Sequence, residues 1–260
     1  MRLLAIETSC DETSAAVVEK LDSNVLLHSN ITASSANMHA QTGGIIPENA
    51  AREQLRTILP VITEALLKSE KLTAKDQDEA FALSNKIIAE KIDSIAVTVG
   101  PGLIGSLLVG VETAKTLSFI HNKPLYQINH LLGHIYANFL VQNKTDDKTI
   151  EFPFIGLIVS GGHTDLLFFK SHTEYKWLGG TRDDAAGEAL DKIGRMLDIS
   201  YPAGQEIEKR ALEAKDKNIF FQSPLIHDHS YDFSFSGLKT EAMRYVKKTT
   251  LNPDTIKSIC

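Results

Sequence analysis

The chain has 260 residues, 43 % hydrophobic and 23 % charged, with a formal net charge of −6. That balance suits a soluble globular protein with one large domain or two lobes around a buried core. It excludes a broadly basic nucleic-acid glove, so attraction for phosphate has to come from a local patch or a partner.

The N-terminal run MRLLAIETSC is too short for a signal segment and soon meets Glu7, Asp11 and Glu12. No stretch approaches the ~20 apolar residues of a membrane span. Cys10 and Cys260 sit at opposite ends of the chain, which suggests neither a disulfide framework nor a metal knuckle. The expectation is a reduced cytoplasmic protein without a membrane partner.

RLLAIETSCDETSAAVVE reads as apolar strand, small polar turn, apolar strand, and VLLHSNITAS as a third strand. After the turn QTGGIIP comes a helix, PENAAREQLRTILPVITEALLKSE, with Pro47 at its first position and Pro60 as a kink. DQDEAFALSNKIIAEK, residues 76–91, reads as a charged surface helix. IDSIAVTVG is a buried strand, IGSLLVGVETAKTLSFIHN a mostly apolar helix, and PLYQIN a short strand. The next helix carries His130 and His134. Leaving the charged insert aside, the order is βββαβαβα.

The pattern then restarts about 150 residues after its first copy. FPFIGLIVSGGHTDLLFFKS is again strand, turn, strand, and EYKWLGG a third strand. DDAAGEALDKIGRMLDI reads as a helix with acidic residues in its first turn, followed by helices at QEIEKRALEAK and SGLKTEAMRYVKK. The expected architecture is therefore α/β, a duplicated ribonuclease H-like (actin-like) fold. Residues 1–150 form one lobe and residues 151–260 an incomplete second one, facing each other across a cleft. TLNPDTIKSIC looks like a helix cut early, so the chain reads as a fragment or a shortened protein.

Five stretches are candidates for chemistry. VTVGPGLIG places Gly100, Gly102 and Gly105 as a literal G-x-G-x-x-G, but the following strand ends in Asn129 instead of a ribose-binding acid. A glycine turn for close packing is the better reading. VSGGHT offers Ser160, Gly161 and Gly162 at a hairpin, where bare N–H groups can meet a phosphate and a positive φ would penalise any larger residue. ETSCDETS is its counterpart, with Asp11 and Glu12 at the turn. In DDAAGEALDK, Asp184, Glu188 and Asp191 share a helix face, a repulsion that asks for a ligand or cation. His130 and His134, four apart, leave one helix face together, as metal ligands or as core imidazoles. A zinc peptidase would need Glu after the first histidine, and here that residue is Leu131.

Taken together, AIETSCDETS, GGIIPENAAREQ, VGPGLIGSLLVG, NHLLGHIYA, PFIGLIVSGGHT, DDAAGEALDKIGRMLDISYP and DFSFSGLKT resemble the TsaD family, the tRNA N6-adenosine threonylcarbamoyltransferases. The resemblance implies the two-lobed actin-like ATPase fold. It implies transfer of threonylcarbamoyl from threonylcarbamoyl-AMP to the N6 amine of the adenosine 3′ of the anticodon, in tRNAs reading codons that begin with A. It assigns His130 and His134 to one metal per subunit, Fe(2+) in many members and Zn(2+) in some. It assigns Ile158, Val159, Ser160, Gly161 and Gly162 to the adenylate loop, Asp191, Gly204 and Glu208 to the nucleotide, and Asp11 and Glu12 to the catalytic acids. The implied partners are tRNA, a TsaB-like paralogue and a TsaE-like ATPase.

Three departures stand out. The family's Tyr-Pro-Gly-Gly-Pro is Tyr201-Pro202-Ala203-Gly204-Gln205 here, and residues 76–91 lengthen the first lobe. The family's C-terminal region, with its third metal ligand, is absent, and the expectation is a chain inactive alone that binds metal poorly. The rival readings are an idle TsaB-like scaffold, which would lack the paired histidines, and an actin-fold small-molecule kinase, which would not need them.

Overall fold

The computed structural model describes residues 1–21, 24–35, 38–39, 44–143, 150–214 and 219–260. Two compact units are observed, Met1–Ile150 and Glu151–Cys260. Residues 41–43 of the expected QTGGIIP turn, and Lys215 at the end of QEIEKRALEAK, lie outside the described residues.

In the first unit, strands β1 (Arg2–Glu7), β2 (Glu12–Leu21) and β3 (Asn24–Ser34) form an antiparallel meander. Strands β4 (Ser94–Gly100) and β5 (Leu125–Asn129) add in parallel beside β1, and β6 (Leu140–Val141) pairs in parallel with β3. The sheet order is β5-β4-β1-β2-β3-β6. With β2 alone reversed among the first five strands, this is the expected ribonuclease H-like sheet. The alternating side chains of β1 and the continuous apolar run of β4 suit a sheet covered by helices.

Helix α1 (Pro47–Ser69) starts with Pro47 at its first turn and runs through Pro60 without a break. Its apolar face, Ile58, Val61, Ile62, Ala65 and Leu66, is buried with Leu4, Val17 and Ile95 in one core. Full burial of each such Leu or Ile contributes about 1.5–3 kcal/mol. Helix α2 (Gln77–Lys91) is capped by Asp76, whose Oδ1 accepts from Glu79 N at 2.9 Å. The expected surface helix is only partly so, because Ile87 and Ile88 are buried in the same core. Helix α3 (Ile104–His121) follows β4 and ends at Asn122 in the left-handed conformation, and α4 (His130–Tyr136) follows β5.

In the second unit, β7 (Phe154–Val159), β8 (Thr164–Phe169) and β9 (Tyr175–Gly180) repeat the antiparallel meander in the order β7-β8-β9. Helices α5 (Ala186–Met196), α6 (Gly204–Leu212), α7 (Ser236–Lys248) and α8 (Pro253–Ile259) follow. Ile193, Leu197, Ile207, Ala242 and Ile259 form their shared core. Both units thus open with βββ followed by helix. Among the described residues no helix is long and apolar enough to cross a membrane.

Candidate functional site

The histidine pair is built by a cap. Asn129 closes β5, and its Oδ1 accepts from Leu131 N at 2.9 Å and Leu132 N at 3.2 Å, which starts α4 at His130. His130 and His134 then lie one turn apart with their Nε2 atoms 3.2 Å from each other and their rings at 83°. Two nitrogens bound to one tetrahedral metal at ~2.0–2.1 Å stand ~3.3–3.4 Å apart, so the pair already has the bite of a chelate. Imidazole donors of this kind suit iron or zinc. Among the described residues no third His, Cys, Asp or Glu joins them in ligand geometry. The residues fit a metal as two of its ligands.

Behind the pair stands the β1–β2 hairpin. His130 Nδ1 lies 3.1 Å from Ser9 Oγ and 3.3 Å from Glu7 Oε2. Burial alone would raise the Glu7 carboxyl, but hydrogen bonds from His130, Ser9 and Thr98 outweigh it and pull the group down to about 2. The sequence singles out Asp11 and Glu12 from this hairpin and passes over Glu7 and Ser9. The only local signal is an acid ending an apolar strand, and the partner that gives it meaning is 123 residues away.

Asp11 and Glu12 sit at the turn as expected, Glu12 exposed and Asp11 half-buried. Their backbone is held from inside. Gln54, 1 % exposed, donates through Nε2 to the carbonyls of Thr8, Cys10 and Glu12 at 3.4, 3.1 and 2.9 Å. Ser106 Oγ donates to the Cys10 carbonyl at 2.8 Å, and Ser35 Oγ to the Asp11 carbonyl. Burial and the neighbouring Asp11 push the Cys10 thiol up to about 12, which disfavours the thiolate near neutral pH.

The G-x-G-x-x-G stretch serves this hairpin. Leu103 N donates to the Ser9 carbonyl at 2.7 Å. A Cβ on Gly102 would stand 2.3 Å from that oxygen, so only glycine permits the approach. Gly100 has φ +151°, where a side chain is strained.

In the second unit, the β7–β8 turn carries Ser160, Gly161 and Gly162. Ser160 N donates to the His163 carbonyl at 2.8 Å, and Ser160 Oγ accepts from Gly162 N at 3.3 Å and His163 N at 3.0 Å. The three N–H groups expected to face outward therefore do not all do so; Gly161 N–H is the one that meets no acceptor among the described residues. Nor do Gly161 and Gly162 have positive φ, so the expected strain is absent, although a Cβ on either would enter open space. Ile158 is buried and Val159 exposed, paired with Asp165 and Thr164. The start of α5 packs on this loop. Gly187 N donates to the Ser160 carbonyl at 3.1 Å, and Ala186 N to Thr164 Oγ1 at 2.9 Å.

The acidic cluster differs from the expectation. Helix α5 begins at Ala186, so Asp183 and Asp184 precede it and share no helix face with Asp191. Asp183 caps α7 instead, accepting from Ser234 Oγ at 2.6 Å, Phe235 N at 2.8 Å and Ser236 N at 3.0 Å. Asp184 bonds Lys192 and Lys239, each at 2.7 Å, and Lys192 also reaches Glu188 at 2.8 Å. The cations that offset the repulsion are the protein's own. Asp191 accepts from Ala203 N at 2.7 Å and so joins the start of α6, where Gly204 lies. Glu208 follows one turn on and is exposed. The structure brings Asp191 beside Gly204 as a pair, with Glu208 on the same helix.

A family profile described as TsaD, tRNA N6-adenosine threonylcarbamoyltransferase, matches residues 27–260. A relative of that name from Geotalea uraniireducens is 46 % identical over 254 residues, covering 98 % of this chain and 67 % of its own length. Another from Persephonella marina is 43 % identical over 259 residues, covering 98 % and 68 %. The chain spans about two thirds of the length of these relatives. Among solved structures, YeaZ from Pseudomonas aeruginosa aligns at 14 % identity over 68 % of this chain and 63 % of its own. Its TM-score of 0.36 is too low to support an inference.

Proposed function

This chain belongs to the TsaD family of tRNA N6-adenosine threonylcarbamoyltransferases, and on that premise we propose that it transfers threonylcarbamoyl from threonylcarbamoyl-AMP to the N6 amine of the adenosine 3′ of the anticodon, in tRNAs reading codons that begin with A. The observation that carries the proposal to a mechanism is the 3.2 Å bite of His130 and His134, which neither the scaffold nor the kinase reading would require. These two side chains would hold a divalent metal, Fe(2+) or Zn(2+), which supplies Lewis-acid polarisation of the carbonyl under attack.

The remaining steps fall to the chain's own groups. The Gly161 N–H, set beside the start of α5, would donate to the phosphate of the adenylate. Gly204 would allow close approach of the nucleotide, with Asp191 holding the start of its helix and Glu208 available to the ribose. As the amine nitrogen bonds to the carbamoyl carbon, the carbon–oxygen bond to phosphate breaks and AMP leaves with that oxygen. The proton shed by the amine would pass to a carboxylate at the β1–β2 turn, Asp11 or Glu12.

With a net charge of −6, tRNA capture is proposed to depend on partners. Leu55 and Leu59 on α1 and Ile104 and Leu108 on α3, all exposed on two packed helices, would form the surface for a TsaB-like paralogue, and a TsaE-like ATPase completes the assembly.

The test is transfer of labelled threonylcarbamoyl from threonylcarbamoyl-AMP to tRNA, run on the gene's product with both partner proteins. Label should enter tRNA with the wild type and be lost with His134→Ala at unchanged circular dichroism. Undiminished transfer by the variant would contradict the proposed role.

A further inference from the structure

Three sequence segments that are far apart in the chain meet behind one imidazole. Glu7 and Ser9 come from the end of β1 and its turn, Gly102 and Leu103 from the loop after β4, and His130 from the first turn of α4. The contacts form a chain of support. Leu103 N fixes the Ser9 carbonyl at 2.7 Å, and Gly102 leaves the room for it. Ser9 N donates to Glu7 Oε1 at 2.5 Å, which orients the carboxylate. The other oxygen, Oε2, faces His130 Nδ1 at 3.3 Å, and Ser9 Oγ faces the same nitrogen at 3.1 Å.

We propose that Glu7 and Ser9 are positioning residues for His130. The carboxylate holds the ring proton on Nδ1, and Ser9 fixes the rotation of the ring, so that Nε2 presents its lone pair toward His134. This inference rests on the reading of the pair as metal ligands. The chemistry is that of a carboxylate behind a ligating histidine, where the partner decides which ring nitrogen is free to bind. The literal G-x-G-x-x-G thereby acquires a role, because its second glycine lets a backbone N–H grip the residue that orients Glu7.

Glu7→Gln makes the proposal sharp. Glu7 accepts from Ser9 N–H through Oε1 and faces His130 Nδ1 through Oε2, with the Ser9 and Thr98 hydroxyls also bonded to the carboxylate. A glutamine has one oxygen, and the short bond to Ser9 N claims it. The amide NH2 then faces His130, which must shed its proton from Nδ1 and carry it on Nε2, removing the metal's lone pair.

Two readouts separate the possibilities. Long-range nitrogen-15 NMR on the metal-free protein reports the His130 tautomer, and Co(II) titration followed by its visible absorption reports affinity. Expected are an Nδ1–H tautomer in the wild type, an Nε2–H tautomer in Glu7→Gln, and Co(II) binding weakened by about 10- to 100-fold, with the amide spectrum otherwise unchanged. Ser9→Ala, which keeps the carboxylate, should keep the Nδ1–H tautomer and bind Co(II) more weakly than the wild type. An unchanged tautomer and equal Co(II) affinity in Glu7→Gln would overturn the proposal. If the wild type binds no Co(II), the metal reading falls, and the tautomer alone still decides the role of Glu7.

Discussion

Gly187 and Ser160 touch through their backbones. The Gly187 N–H donates to the Ser160 carbonyl at 3.1 Å, and a Cβ on Gly187 would stand 2.8 Å from that oxygen. The start of α5 is thereby the floor of the glycine loop. Gly187→Ala should push the loop off its helix, costing about 1–3 kcal/mol of stability and weakening AMP binding. Gly161→Val, whose Cβ enters open space, should leave stability within about 0.5 kcal/mol and still weaken AMP by about tenfold or more. Urea denaturation and calorimetry with AMP measure both. Undisturbed AMP binding in Gly161→Val would remove the loop from the site.

Gln54 is the internal tie of the other hairpin. Its Nε2 serves three carbonyls in the turn that presents Asp11 and Glu12. Gln54→Ala strands those acceptors and should destabilise the protein by about 1–3 kcal/mol in urea denaturation. A change below about 0.5 kcal/mol would mean that water replaces the amide at little cost.

Asp184 gives a pH signature. Its hydrogen bonds with Lys192 and Lys239 hold its carboxyl below the ordinary value of 3.8. A carboxyl lowered in the folded state stabilises above its unfolded value and loses that contribution as pH falls through the folded one. Stability should therefore drop as pH is taken from about 4 downward, and Asp184→Asn should flatten that acid limb. Urea midpoints at about pH 6 and about pH 3 decide it. An identical loss in the variant would assign the acid sensitivity elsewhere.

The fold is legible in the sequence because its signals are local. The two hairpins, the continuous apolar run of β4 and Pro47 at the first position of α1 each act within a few positions of chain. What stays hidden depends on distance. Asp183 and Asp184 look like the opening of a helix, yet Asp183 spends its oxygens on α7, 51 to 53 residues on. Glu7 looks like the end of a strand until His130 arrives beside it. The histidine pair and the glycine loop can be read as positions, but the availability of the Ser160 N–H depends on hydrogen bonds that no motif records.

Four exposed apolar side chains on α1 and α3 make the partner dependence testable. Leu55→Glu with Leu108→Glu should abolish association with a TsaB-like paralogue in sedimentation experiments while leaving the isolated chain's fold intact. The isolated chain should bind tRNA weakly and with little salt dependence. Tight, salt-sensitive binding by the chain alone would count against capture by an assembled complex.

The metal role of the histidine pair is tested most directly by equilibrium dialysis against Co(II), with cobalt per chain read by elemental analysis. The chain should approach about one cobalt at saturation, and the His130→Ala/His134→Ala double variant should hold none at unchanged circular dichroism. Equal cobalt in both would make the two imidazoles ordinary side chains of α4 and contradict their role as ligands.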